Sequence, residues 1–494
     1  MTMTHTKTSP AAAFGGVRRT IPVASPLQHG RLGILVMVAI SCSFIWLTTS
    51  AMAQPVLEVP IRQMSSAVES LCPQLKQNNQ NLTAAETDLW FRCAELKIAP
   101  GNSFEDLSGD QKFGLLNMQS EETNTMGRLT VELSATQVTT LTGRLTTLRQ
   151  KVGGGSMAVN DDAIGDARSL YAGPIFAMVQ YEPTITNVEY GRFGVFLSGS
   201  GVSGDRDATE REAAFDFDGW DLVGGLDYRF ADELFAGLAV GYSTTEAEIE
   251  QNLGDVDVDG YGFSLYGTYY VKNFYIDAIG TYAQRDYTTV RNLRYSVPKF
   301  AQDPTPGPVT NVNQSFVGDP GATDYDLFVG VGYNYYKQGF NLTPYLNLRY
   351  IDSQIDGYTE RNQTPNTNSG FGLPLTVEEQ AITSLTSRLG GQISYAVGTQ
   401  AGILAPYVRF DWEHEFKNDE RTFRARFASV GPQYDSTNVI DITTDAPDQD
   451  FFNLGLGMSA TFPHGVMAYI DYATLLGLAD TTSHRLAAGI RYEF

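Results

Sequence analysis

The chain has 494 residues, enough for several domains, and is acidic, with 34 Lys+Arg against 56 Asp+Glu. That balance argues against nucleic acid as a partner. Its 48 glycines, 26 tyrosines and 27 phenylalanines suit an all-β protein with tight turns and aromatic girdles better than a helical enzyme.

The N-terminal stretch "RLGILVMVAISCSFIWLTTSAMAQ" places Arg31 before an apolar run from Leu32 to about Leu47, followed by Ala51-Met52-Ala53. This is the pattern of a secretory signal peptide over 1–53, with cleavage expected between Ala53 and Gln54. The basic region is long, with Arg18 and Arg19 far upstream. An extended signal is preferred over a start at Met37, which would discard Arg31. A rival reading lipidates Cys42, but it would leave an apolar stretch trailing the lipid. Without the signal the chain keeps 30 basic and 56 acidic residues, a formal net charge of −26.

Residues 54–152 read as a helical N-terminal domain. Cys72 and Cys93 lie in two helical-looking segments, "AVESLCPQLKQ" and "ETDLWFRCAEL", joined by the turn-like "NNQN". Thr83 and Glu86 form a capping box that starts the second segment. In an exported chain this pair is expected as a disulfide stapling a helical hairpin. No histidine lies between residues 54 and 413, so no metal or other cofactor is expected there. Further on, Val131, Ser134, Val138, Leu141, Leu145 and Leu148 recur at steps of three and four. They describe an amphipathic helix of about 30 residues. It either packs on its own hairpin or on another copy, or lies near or inside a barrel lumen; periodicity does not separate these.

Residues 153–190 read as a linker. From 191 to 494 the pattern has period two, with twelve candidate strands starting near Gly191, Ala213, Glu233, Asp255, Asn273, Asp324, Phe340, Ala381, Gly402, Asp450, Gly465 and Thr482. Short turns ("ADE", "VKN", "KQG", "GTQAG", "PHG") alternate with longer connections. Three of these are long and polar, at about 291–321, 355–378 and 417–449. Such alternation is the plan of an outer-membrane barrel. The expected fold is therefore an all-β transmembrane barrel of 12 antiparallel strands, preceded by a small α-helical domain.

One stretch competes with that reading. In "GDVDVDGYGFSLYGTYYVKN", Asp255, Asp257, Asp259 and Gly260 open like a calcium-binding EF-hand loop, but the position-12 ligand would be Tyr266 and the flanks are not helical. As a strand, the same stretch puts Tyr261, Phe263, Leu265, Tyr269 and Val271 on a lipid face. The aspartates then fall at its loop-side end, above the bilayer. Charged residues keep to one parity elsewhere, as in Asp221, Asp227 and Arg229 or Arg485, Arg491 and Glu493. A polar lumen explains this directly.

The segments "FDFDGWDLVGGLDYRFADELFAGLAVGYSTTEAEI", "GYGFSLYGTYYVKNFYIDAIGTYAQRDY", "TPYLNLRY", "APYVRFDWEHEF" and "LAAGIRYEF" resemble the translocator domain of autotransporters (type V secretion). The resemblance covers about 300 residues. It implies an outer-membrane barrel of a Gram-negative bacterium, handled by periplasmic chaperones and the outer-membrane barrel assembly machinery. Ile490, Tyr492 and Phe494 look like the C-terminal signal that this machinery reads. A lumenal helix is implied as well, for which 159–172 and 120–151 are both candidates. Classical members carry large passengers, whereas only about 100 residues precede the linker here. The expected role is a translocator and anchor with a short passenger-like segment. An adhesin or self-association protein acting through its long loops is the alternative. A hydrolase is disfavoured and no enzymatic activity is expected: the only candidate bases beyond residue 54 are His414, His464 and His484, and Ser483 points away from its neighbour His484.

Overall fold

The computed structural model describes residues 57–77, 81–152 and 192–494. The expected signal peptide with its Ala53–Gln54 cleavage site, the linker 153–190 and the lumenal-helix candidate 159–172 lie outside the described residues. Twelve strands form an antiparallel meander: β1 (Phe193–Arg206), β2 (Phe215–Ala231), β3 (Leu234–Ile249), β4 (Gly254–Val271), β5 (Phe274–Pro298), β6 (Gly321–Tyr333), β7 (Phe340–Ile355), β8 (Gln380–Tyr395), β9 (Gly402–Glu415), β10 (Asp450–Thr461), β11 (Val466–Leu476) and β12 (Thr481–Glu493). β12 pairs with β1, Arg485 opposite Val202, so the sheet closes and leaves no barrel edge. Each start lies within about three residues of its expected position.

Alternation along the strands separates lipid from lumen. On β4, Phe263 is 58% exposed and Tyr266 only 1%. Leu222, Leu226, Leu238, Val240 and Leu265 continue the outward apolar band. Aromatic rings close the band at both rims. Tyr242 meets Trp220 and Tyr261 at 5.5 and 5.1 Å on the long-loop side. Phe193–Tyr228, Phe274–Tyr333 and Phe340–Tyr395 do the same at 4.6–4.7 Å on the short-turn side. Such girdles mark the two water–membrane interfaces. No described helix is long and apolar enough to cross a membrane.

Asp255, Asp257 and Asp259 stand on β4 above the long-loop girdle, paired with Glu248, Glu246 and Thr244 of β3. Asp205, Asp216, Glu248 and Asp255 form one cross-strand row of carboxylates. Partial burial, then the neighbouring acids, push Asp255 and Asp257 above the ordinary carboxylate range, as expected where like charges oppose each other. The stretch is the outer end of a strand.

Four helices precede the barrel: α1 (Glu58–Gln77), α2 (Ala84–Leu96), α3 (Gly109–Asn117) and α4 (Glu121–Val152). The Thr83–Glu86 capping box starts α2, and a disulfide joins Cys72 of α1 to Cys93 of α2 with Cα atoms 5.8 Å apart. The long connections are not loose. β5 runs to Pro298 and returns through Val309–Gly318 as a hairpin above the membrane. The other two supply Tyr358–Thr359, Leu375–Val377, Thr422–Phe427 and Ile440–Thr443, which form a four-stranded sheet.

Candidate functional site

The site is the lumen, closed from above by a cap and filled on one side by α4. α4 has 32 residues, about 48 Å of helix. Near its start, the Glu121 carboxylate accepts the Ala213 amide at 3.1 Å, at the long-loop rim. Further along, Arg144 pairs with Asp227 near the short-turn end of β2, and Arg491 donates to the same carboxylate at 2.8 Å. The helix therefore runs from the long-loop mouth toward the short-turn end, which resolves the sequence alternatives in favour of the lumen.

The spacing seen in the sequence explains which wall it meets. Val138, Leu141 and Leu145 bury against Phe196, Phe235, Tyr266, Tyr270, Tyr275, Ile279 and Phe328. Burying each such side chain is worth about 1.5–3 kcal/mol. Polar contacts orient the helix: Thr130 with the Tyr287 hydroxyl at 2.7 Å, Gln137 donating to Ser264 at 3.0 Å, and Arg485 donating to the Thr136 carbonyl at 2.9 Å. Ser134 belongs to the same stripe but bonds Asp324, at 3.4 Å. Close approach depends on Gly241 and Gly262, which are paired across β3 and β4. A Cβ at Gly262 would lie 2.1 Å from the Gln137 Oε1. Gly262→Leu is expected to displace Gln137, loosen α4 from this wall and cost about 1–3 kcal/mol. Hydrogen exchange of residues 130–146 would show the loss, with barrel amides unchanged.

The cap is tied down by three buried ion clusters. Arg92 of α2 pairs with Asp303 at 2.5 Å and Glu95 at 2.9 Å, while Asp88 of α2 receives the amides of Gly370 and Gly372 at 3.0 and 2.9 Å. Arg291, on the extension of β5, donates to Glu360 at 2.8 and 2.5 Å and to the Leu373 carbonyl at 2.9 Å, with Glu122 of α4 3.7 Å away. Glu212 receives Arg128 of α4 at 2.9 and 3.0 Å, with Arg206 at 3.2 Å. Around them one apolar core joins the helices to the loop sheet, with Met64, Leu71, Leu89, Leu115, Phe316 and Phe427 at its centre.

Burial pushes the Glu121 carboxyl up to about 7, with Glu212 and Asp445 adding to the rise. Glu122 rises to about 8, through burial first and the Glu360 carboxylate second.

The remaining expected site residues fall as follows. Ile490, Tyr492 and Phe494 all point outward at the short-turn rim, where Phe494 stacks near Phe193. His464 lies in the β10–β11 turn with φ 64°. His484 bonds the Tyr472 hydroxyl through Nδ1 at 2.9 Å. The register sets Ser387, His414 and Asp450 in one row on β8–β10, and His414 Nδ1 meets Asp450 at 2.9 Å. Adjacent-strand geometry, invisible in the sequence, creates this row. It has no Ser387–His414 hydrogen bond, and the amides around it belong to the strand ladder, so no free donor pair is aimed at an oxyanion. Among the described residues, no group of three or more His, Cys, Asp or Glu side chains is arranged to hold a metal.

A closed twelve-stranded barrel with aromatic girdles, a polar lumen and a helix threaded through it is an outer-membrane barrel architecture. The autotransporter β-domain family model matches residues 195–473, and the chain belongs to that family. Among solved structures it is similar to the translocator domain of the autotransporter NalP from Neisseria meningitidis, at 14% identity and TM-score 0.46, covering 69% of this chain and all of that one. It is also similar to the β-domain of the Bordetella autotransporter BrkA, at 16% identity and TM-score 0.41, covering 61% of this chain and all of that one. An extracellular serine protease of Serratia marcescens is 22% identical over 256 residues, which are 52% of this chain and 22% of that protein. The chain therefore matches about a fifth of that relative's length.

Proposed function

We propose that this outer-membrane protein moves its own N-terminal helices through the barrel and keeps them as a folded cap on the cell surface. The carrying observation is the course of α4, whose Glu121 end meets the long-loop rim and whose Arg144 meets Asp227 at the other end. Long loops face outward and short turns inward in such barrels. The cap, with the Cys72–Cys93 hairpin, is then extracellular and remains joined to the barrel through its lumen. In this reading residues 1–53 are a signal peptide cleaved before Gln54. Periplasmic chaperones then deliver the chain, and the assembly machinery of a Gram-negative outer membrane reads Ile490, Tyr492 and Phe494. The long connections spend their apolar residues, such as Leu375, Phe427 and Ile442, on the cap core, which supports mouth closure over adhesion through free loops.

Protease shaving of intact cells tests this with tags inserted after Gln54 and beside Thr364. Both tags should be removed. A shaved loop tag with a protected N-terminal tag would end the translocation reading, and a protected loop tag would invert the barrel.

The chain is read as non-catalytic, because the Ser387–His414–Asp450 row offers no oxyanion site. A fluorophosphonate probe should leave Ser387 unlabelled in the detergent-solubilised protein; labelling abolished by Ser387→Ala would overturn this.

A further inference from the structure

α4 leaves part of the lumen unfilled. It packs against the β1–β5 side, and between its free face and the β7–β12 wall lies a cavity of about 460 Å³, within the range of small-molecule sites. The upper wall carries an apolar strip, Phe217, Ile351, Ile382, Phe451, Leu475 and Leu478, beside charged residues such as Arg206, Asp419 and Arg421. At the bottom the cavity reaches a neck formed by Arg349, Arg388, Arg409 and Glu413, below which only about 70 Å³ continues.

The neck carries spare donors. Arg349 uses Nε and Nη2 on Asp326, at 3.0 and 2.5 Å. Arg388 uses the same two nitrogens on Glu413, at 3.0 and 2.7 Å. Among the described residues, Nη1 of each makes no hydrogen bond. Arg409 reaches Asp471 through Nη2 at a long 3.4 Å. Three of the lining acids, Glu413, Glu415 and Glu132, are already engaged. Glu413 also accepts from Asn453 at 2.8 Å, and Glu415 takes the Ser384 hydroxyl at 2.5 Å and the amides of Leu385 and Lys417. On α4, Glu132 takes the Ser483 hydroxyl at 3.3 Å. A planar guanidinium with an unused edge in a partly desolvated pocket is a recognition element for carboxylates.

We propose that this cavity binds a small amphiphilic carboxylate, its head on the neck arginines and its hydrocarbon body along the apolar strip of the upper wall. The proposal is independent of which side of the membrane holds the cap.

Calorimetric titration of the full chain in nanodiscs with octanoate, with empty nanodiscs subtracted, tests it. Octanoate should bind at least about tenfold more tightly than its uncharged analogue octanamide, as one lost charged contact of about 1.4 kcal/mol predicts. The neutral pair Arg388→Gln/Glu413→Gln should narrow that preference, and Thr386→Trp, which fills the neck, should abolish binding. Heat no larger than in empty nanodiscs, or equal affinity for octanamide, would overturn the proposal. So would unchanged binding by Thr386→Trp in a barrel that still shows heat-shifted electrophoretic migration.

Discussion

Replacing Arg291 by Met should release the cap while leaving the barrel folded. Arg291 is fully buried where the β5 extension, the segment around Glu360 and the first turn of α4 meet. Removing its guanidinium strands the Glu360 carboxylate, which among the described residues would keep only the Leu375 amide at 2.7 Å, and removes the cation 3.7 Å from Glu122. Breaking a buried pair from one side costs about 3–5 kcal/mol, because the remaining charge stays desolvated. The barrel does not share this loss. Arg291 lies above the aromatic girdle, at the outermost pair of the β4–β5 ladder, opposite Gly254, beyond the part of the sheet that spans the membrane. The expected result is rapid proteolysis and amide exchange across residues 57–120, with heat-modifiable migration retained. Arg291→Met/Glu360→Gln should recover much of the protection, since it removes the orphaned charge as well. Equal protection of the cap in Arg291→Met would mean that the apolar core and the other two ion clusters hold it without Arg291.

Much of the barrel was legible because membrane and lumen impose a strict period of two on every strand. Trp220, Leu222 and Leu226 against Asp221 and Asp227 carry that signal with no ambiguity of face. The disulfide hairpin was legible from a capping box and an even cysteine pair. The cap was not. Its core joins Leu89 of α2 with Phe316 and Phe427, which are hundreds of residues apart in sequence, and no local pattern encodes such partners. The 291–321 segment looked like a loop because of its five prolines, yet Arg291–Pro298 continues β5 and Val309–Gly318 pairs back on it. The prolines sit at the strand's end and in the connections, where no ladder donor is needed. α3 carries a second capping box, Ser108 with Gln111, which could have marked it. The α4 stripe told which face is buried but not against what. Its neighbours are tyrosines and phenylalanines on inward parity, among them Tyr266 and Phe328, and inward aromatics in a polar lumen were the overlooked hint that something apolar fills it.

Raising the pH should undock the cap through the first turn of α4. Glu121 and Glu122 are buried there, each beside another acid, Glu212 and Asp445 for the first and Glu360 for the second, with Arg291 the cation nearest Glu122. Helix N-termini ordinarily favour a carboxylate, but burial outweighs that gain and holds the two groups up to about 7 and about 8. Both values lie above the 4.5 of a free glutamate, so the folded state holds these protons more tightly than the unfolded one. Their contribution is fully present below about pH 4.5 and is lost as pH rises through 7 and 8, at a cost on the order of a few kcal/mol. Burial raises Asp88 and Glu95 of α2 as well, so they act in the same direction. Glu212 opposes the trend: despite its burial, Arg128 and Arg206 keep it below the usual range, and it stays ionised throughout. The expected outcome is slow exchange of the α1–α3 amides at pH 6 and fast exchange at pH 9, after correction for intrinsic rates, with the strand ladder protected at both. Glu121→Gln/Glu122→Gln should reduce this dependence to the smaller part carried by Asp88 and Glu95, because an amide in either place has no proton to lose. A cap equally protected at pH 6 and pH 9 in the unsubstituted chain would show that these carboxyls stay protonated or find cations when the mouth closes, and that Arg291 is not shared between two ionised partners.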